Sequence, residues 1–256
     1  MKIRIARVVN FIGVATLIAS ALFIQPASAF QKGTTMKDEF LQAVIGGDIA
    51  KVKEMLKADA SLAQARDERG LSAILKAVYY RQKEIVATLL AAGIELNIFE
   101  ASATGQTKRV RELFKQDASL VNAFSSDGFM PLGLAVFFGH GQTVEALLEG
   151  GAEVNTASRE AMKVTPLHSA AAAGEVAIAR LLIAHGANVN VGQAESGFTP
   201  LHEAAGKGDI EFATLLLEHG ANINAKMKDG KTPLAFAVSH NQNEIAVFLR
   251  GRGAVQ

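Results

Sequence analysis

Apolar side chains recur at three- and four-residue spacing through most of the chain, in short runs closed by glycine. Val176, Ala179, Leu182 and Ile183 form one such stripe, the pattern of a helix that buries one face against a neighbour. Ahead of it stand Thr165-Pro166-Leu167-His168 and then Gly174. Threonine supplies a hydroxyl able to cap a helix, and proline is tolerated in the first turn because its missing N–H would be unpaired there anyway. Glycine permits the positive φ that ends a helix. The pattern predicts two short helices joined by a tight turn, with an apolar stripe that the pair cannot bury by itself.

The same arrangement returns along the chain. Thr199-Pro200-Leu201-His202 leads through Ala204-Ala205, Gly208 and Leu215-Leu216 to His219-Gly220-Ala221-Asn222-Ile223-Asn224. Thr232-Pro233-Leu234 opens a unit ending at Gly253-Ala254, and Met130-Pro131-Leu132 opens one closing at Gly151-Ala152-Glu153-Val154-Asn155. Weaker units begin near Asp38, Ser72 and Leu96, marked by Ala43, Ala77 and Ala101 and by Gly47 and Gly105. These co-recurring residues resemble the ankyrin repeat. The resemblance implies an all-α ankyrin-repeat solenoid of about seven helix-turn-helix units, with short β-hairpin fingers between them and with His168 and His202 tying neighbouring backbone groups together. Stability in such an array comes from stacking.

Two departures stand out. The first and third units end in Asp-Ala-Ser-Leu, at Asp59 to Leu62 and Asp117 to Leu120, which is expected to lengthen the end of the outer helix. The interval from 72 to 96 is also shorter than the others, since Gly93-Ile94-Glu95-Leu96-Asn97 runs directly into Ile98-Phe99-Glu100-Ala101. The expectation is a missing finger, and hence a notch, between units two and three.

The N-terminus has a different character. Lys2, Arg4 and Arg7 precede a mostly apolar run from Val8 to Ile24, followed by Ala27-Ser28-Ala29. This is the make-up of a secretory signal peptide spanning residues 1–29, cleaved after Ala29 to leave a single repeat domain over residues 30–256. With no cysteine in the chain, neither a lipid anchor nor a disulfide framework is available, and the expected destination is the periplasm by the general secretory route. Cleavage would change the formal net charge from +1 to −2. Neither balance suits a nucleic-acid partner or, after cleavage, a membrane surface.

No nucleophile-base set, phosphate-cradling loop or metal motif can be assembled. His202-Glu203 begins like a zinc-protease helix, but Gly206 stands where the second histidine would be needed. No cofactor, metal or catalytic residue is therefore expected. The family resemblance instead implies a concave surface formed by the fingers and the last turn of each inner helix. Tyr79, Tyr80, Phe137 and Phe138 fall in that last turn, and adjacent helical residues point about 100° apart, so each pair faces either solvent or the next unit. Were both pairs exposed, they would flank a low shelf at Ala103 and Thr104. Arg69 and Arg81 would stand at its edge to select acidic groups, with Lys163, Lys207 and His240 elsewhere on the same side.

The expected function is a periplasmic scaffold, monomeric, that binds a protein partner on this face and supports or restrains an exported enzyme. Similar exported bacterial ankyrin proteins are associated with periplasmic enzymes such as catalases in oxidative stress. Two alternatives remain at this point. One is a small-ligand or catalytic protein using a polar pocket at the notch, bordered by Glu95, Glu100 and Lys108. The other is an envelope adaptor with several simultaneous partners.

Overall fold

The computed structural model describes residues 35–255; the expected signal peptide and the expected mature start at Phe30 lie outside that range. Within the described residues fourteen α-helices follow one another in pairs and no strand forms. The first, inner members are α1 (Met36–Gly46), α3 (Ala73–Tyr79), α5 (Ile98–Ala103), α7 (Pro131–Phe137), α9 (Pro166–Ala173), α11 (Pro200–Lys207) and α13 (Pro233–Ser239). Their outer partners are α2 (Ile49–Ala58), α4 (Lys83–Ala91), α6 (Thr107–Gln116), α8 (Gly141–Glu149), α10 (Val176–Ala184), α12 (Ile210–Glu218) and α14 (Asn243–Gly251). Each inner helix packs on the next inner helix and on its own outer helix, the one-dimensional stacking of a solenoid.

Local chemistry sets the helix starts. The Ser72 and Thr232 hydroxyls accept from the Leu75 and Ala235 amides at 3.4 and 3.2 Å. Two starts differ from the sequence reading. The first unit opens at Thr35 and not at Asp38: the Asp38 amide donates to the Thr35 hydroxyl, and the Asp38 carboxylate accepts from the Thr35 amide, both at 3.2 Å. The third opens at Asn97 and not at Leu96. Its side-chain oxygen accepts from the Phe99 and Glu100 amides at 3.0 Å, while Leu96 is buried in the core.

His168 and His202 act as expected from the resemblance. The Thr165 amide donates to His168 Nδ1 at 3.4 Å, which leaves the ring proton on Nε2 to reach the Phe198 carbonyl at 3.0 Å. His202 links Thr199 to the Lys231 carbonyl in the same way. Each imidazole thus joins one helix start to the following finger.

The Asp-Ala-Ser-Leu segments do not lengthen the outer helices. Asp59 and Asp117 end α2 and α6 in extended backbone, with φ −146° and −145°. Their carboxylates then accept from the Ser61 and Ser119 amides, both at 2.9 Å, and start separate 3-10 turns over Ala60–Gln64 and Ala118–Asn122. A short polar side chain competing for backbone donors stops a helix more readily than it extends one.

The core is a continuous band of inner- and outer-helix residues that includes Phe40, Ile74, Leu132, Leu167, Leu182, Leu201 and Phe212, none more than 1% exposed. Burying a Leu or Phe side chain contributes about 1.5–3 kcal/mol, and here most of the cover comes from adjacent units. A second tie runs along the outer side. Asn155 Nδ2 donates to the Gly186 carbonyl while its Oδ1 accepts from the Asn188 amide. Asn190 repeats this with Gly220 and Asn222, and Asn122 with Gly151 and Glu153.

The fingers are tight hydrogen-bonded turns. The Asp67, Ser125, Ser158, Gln193 and Met227 amides donate to the Leu71, Phe129, Val164, Phe198 and Lys231 carbonyls at 2.9 to 3.0 Å. The link from α4 to α5 is confined to residues 92–97 and contains no bond of that kind.

Candidate interaction surface

Inner helices α3, α5 and α7 deliver three consecutive last turns to one side of the solenoid. Their end residues are Tyr79 and Tyr80, Ala103 and Thr104, and Phe137 and Phe138. All four aromatic residues are half-buried, so the open shelf expected from the sequence is not what forms. The Tyr79 and Phe138 rings stack with centroids 5.9 Å apart and planes at 25°, although they belong to units on opposite sides of α5. Phe138 in turn meets Phe137 edge-on at 5.1 Å and 84°. Ala103 lies beneath, only 1% exposed, in a cluster with Leu71, Leu75, Val78, Leu134, Phe99 and Phe129. Because Ala103 is small and α5 ends there, the larger rings on either side can lean over it and touch.

The Tyr79 hydroxyl donates to Asp127 Oδ2 at 2.6 Å. Burial, with the neighbouring Asp127 charge adding to it, pushes the phenol pKa well above its ordinary value, so the proton stays on tyrosine. Asp127 is itself fixed by the Ser125 hydroxyl in its own finger. On the far side Phe137 packs with Phe129, Met162, Val164 and Ala172. Phe129, read from sequence as framework, joins the two clusters into one aromatic band.

The remaining sequence candidates fall into two groups. Arg69, Arg81 and Lys163 are exposed. Arg81 and Lys163 have φ 57° and 49°, left-handed positions that direct turns otherwise ended by glycine. Gly105 shows why glycine is usual here: a Cβ would sit 2.7 Å from His140 Nδ1, whose ring reaches back to the Ala103 carbonyl at 3.0 Å. Lys207 and His240, both half-buried, make bonds within the fold. Lys207 Nζ donates to the Ala172 and Ala171 carbonyls at 2.6 and 3.3 Å, capping the end of α9. His240 Nδ1 bonds the Phe236 carbonyl at 2.8 Å, with its ring 4.2 Å from the Phe236 ring.

The polar pocket proposed at the notch does not assemble. Glu100 is 1% exposed; its carboxylate pairs with Arg66 at 2.7 Å and caps its own helix at the Asn97 amide. Glu95 pairs with Arg109, and Lys108 points into solvent with only a distant contact to Glu112. Desolvating one carboxylate required a cation, which comes from the segment before α3, and a backbone donor, which comes from its own helix start. No group of three or more His, Asp or Glu able to hold a metal exists among the described residues, nor does any helix there have the length and apolarity to cross a membrane.

Sequence reasoning missed Asp127, Phe99 and Met162 as parts of the band, and Arg159, whose guanidinium lies 3.9 Å over the Phe124 ring. It also missed Glu203, a 5% exposed carboxyl on α11 that burial raises to a pKa of about 7. The Asp127-Gly128 turn was the one available sign of a fixed carboxylate.

Two comparisons bear on this arrangement. No curated protein matches the chain. A family model describing ankyrin repeats in three copies matches residues 98–193 and 190–255, more than half of the sequence. Repeats of this kind generally mediate protein–protein interaction and are typically non-catalytic. With its paired helices, Thr-Pro-Leu-His caps and finger turns, the chain belongs to the ankyrin-repeat family.

Proposed function

We propose that the mature chain is a monomeric periplasmic scaffold that holds one exported protein, an enzyme it supports or restrains, against the aromatic band of Tyr79, Phe137 and Phe138. The observation that carries this reading is the continuity of half-buried rings across α3, α5 and α7. The rings keep part of their surface open to solvent, and rigid aromatic side chains bury large areas at low conformational cost. Export rests on the basic start, the apolar run and the Ala27-Ser28-Ala29 site. No observation favours the adaptor with several partners.

Two measurements test the reading. Mass spectrometry of fractionated cells should find residues 30–256 in the soluble periplasm; the intact chain in membranes would end the localisation proposal. Affinity capture with the mature chain should recover one stoichiometric protein, and Phe137→Ser should lose it while retaining the wild-type circular dichroism spectrum. Undiminished capture by that variant would remove the band as the binding surface.

A further inference from the structure

We infer that Glu203 and Lys207 form a proton-operated latch between the fifth and sixth helix pairs. With Glu203 neutral, the Lys207 ammonium ties down the end of α9; with Glu203 ionised, it turns to the carboxylate one helical turn away and lets that end go. The latch belongs to the fold and does not depend on whether a partner occupies the aromatic band.

Besides histidine, three charged residue types are buried among the described residues: Lys76, Glu100 and Glu203. Lys76 pairs with Asp67 at 2.6 Å and Glu100 with Arg66 at 2.7 Å. Glu203, 5% exposed, has neither an ion pair nor a hydrogen bond on its carboxyl among the described residues. An ionised carboxyl enclosed in this way is costly unless it is paired. Ser102 Oγ is the one fully enclosed side-chain polar atom without a partner among those residues, so the Glu203 oxygens keep contact with solvent and can exchange a proton.

The cation in reach is on the same helix. Lys207 follows Glu203 at the order and spacing by which Glu and Lys side chains meet on a helix surface. Its ammonium is instead turned to α9, to the Ala172 and Ala171 carbonyls at 2.6 and 3.3 Å. Lys207 therefore has two alternative acceptors: the carbonyls at the negative end of α9, or the carboxylate once the proton leaves. A bond with charge on both partners is the stronger of the two. Burial raises the Glu203 pKa to about 7, and the Lys207 charge already opposes that rise. The exchange thus falls near neutrality, with the tie intact below it and released above it.

The other ionisable groups around α11 are engaged or turned away. His168 on α9 and His202 on α11 are held neutral by burial, each bonded to a carbonyl of the following finger. α13 carries none, and His240 after it bonds the Phe236 carbonyl. Glu211 and Glu218 of α12 are exposed, as are Glu195, Lys226 and Lys228 on the flanking fingers, where Asp229 pairs with Lys231. Asp209 comes nearest to Lys207. It caps α12 through the Phe212 amide at 2.9 Å, and its Oδ2 and Lys207 Nζ would lie 3.8 and 3.7 Å from a Cβ at Gly174. The end of α9 also borders the aromatic band, since Ala172 packs with Phe137, Met162 and Val164, so release of the tie moves the far edge of the band.

The test is carbon-13 NMR of the mature chain between about pH 5 and 9. The Glu203 carboxyl should titrate with a midpoint of about 7. The Ala172 carbonyl should shift with the same midpoint as it loses the ammonium, and the Phe137 ring should follow. Glu203→Gln should hold the Ala172 carbonyl at its acid-form shift throughout. Lys207→Met should make that carbonyl unresponsive while the Glu203 midpoint rises, because the opposing charge is gone. Asp209→Asn should titrate as the wild type does.

A Glu203 titration that leaves the Ala172 carbonyl still would overturn the latch, and this outcome is read in the wild type, whatever the stability of the variants. An Ala172 shift that survives Glu203→Gln, or one that vanishes in Asp209→Asn, would overturn it as well. A Phe137 ring that stays put while Ala172 moves would overturn the link to the band.

Discussion

Tyr79 and Phe138 stack across an intervening helix, 5.9 Å between ring centroids, and Tyr79 also donates to Asp127 at 2.6 Å. The contact reaches across α5, whose link from α4 is confined to residues 92–97. Tyr79→Phe should cost about 1–2 kcal/mol, since it removes the donor from Asp127 Oδ2 and leaves only the Ser125 hydroxyl on Oδ1, while preserving the stack. Phe138→Ala should cost about 3–5 kcal/mol if fully buried and less for this half-buried ring. A double-mutant cycle between Tyr79→Ala and Phe138→Ala, read by urea unfolding, should give a coupling of about 0.5–1.5 kcal/mol. Simple additivity would show that the stack contributes nothing.

Glu203 and His168 make opposite demands on pH. Burial raises the Glu203 pKa to about 7 from 4.5, so the folded state holds its proton more tightly. Its stabilising effect is full below pH 4.5 and is lost as pH rises through 7. Burial lowers the His168 pKa to about 4 from 6.5, so stability is full above 6.5 and is lost as pH falls toward 4. The two slopes oppose one another between pH 4.5 and 6.5. Glu203→Gln should therefore raise stability at about pH 8 by roughly 1–3 kcal/mol, do little near pH 4, and expose the acid sensitivity of His168. Thermal midpoints across that range decide it, and an unchanged midpoint at pH 8 would mean the carboxylate is solvated.

The asparagine ties are confined to part of the array. Asn122, Asn155 and Asn190 each bond a carbonyl and an amide of the following unit, whereas Gln64 occupies the equivalent place in the first unit without such bonds and Asn97 is spent as a helix cap. Hydrogen exchange should be slowest over α9 to α12 and faster over α1 to α4, because stability in a solenoid is the sum of neighbour terms. Asn190→Ala should cost about 1–2 kcal/mol by leaving the Gly220 carbonyl and the Asn222 amide without a partner. Uniform exchange across all seven helix pairs would contradict this gradient.

Lys207 supports the end of α9. Its ammonium meets the last carbonyls of that helix, where a positive charge is favoured. Lys207→Ala should lower stability by about 1 kcal/mol and leave capture of the partner intact. Lost capture at unchanged stability would assign it to the binding surface.

The all-α repeat was legible in the sequence because its determinants are local. Thr-Pro starts, glycine stops and three-and-four spacing act within a few residues, and four of the seven openings carry Pro131, Pro166, Pro200 or Pro233 at the first turn. The starts that were misplaced, Thr35 and Asn97, lack that proline, and each is decided by which side chain reaches two or three amides along. The Asp59 and Asp117 stops were misread for the same reason: the sequence gives the residue, and only the backbone angles decide whether its carboxylate ends a helix or continues it.

The surface was a different problem. Sequence spacing placed Tyr79, Tyr80, Phe137 and Phe138 at last turns, but ring contact depends on the space left above Ala103, which is set by units on both sides of it. Likewise nothing along the chain distinguished Lys163, exposed beside Met162, from Lys207, spent on the Ala172 carbonyl. Helix starts and stops are settled by short-range hydrogen bonds that the sequence spells out; which rings meet and which charges remain unmatched is settled by stacking, where residues about 35 to 60 positions apart become neighbours.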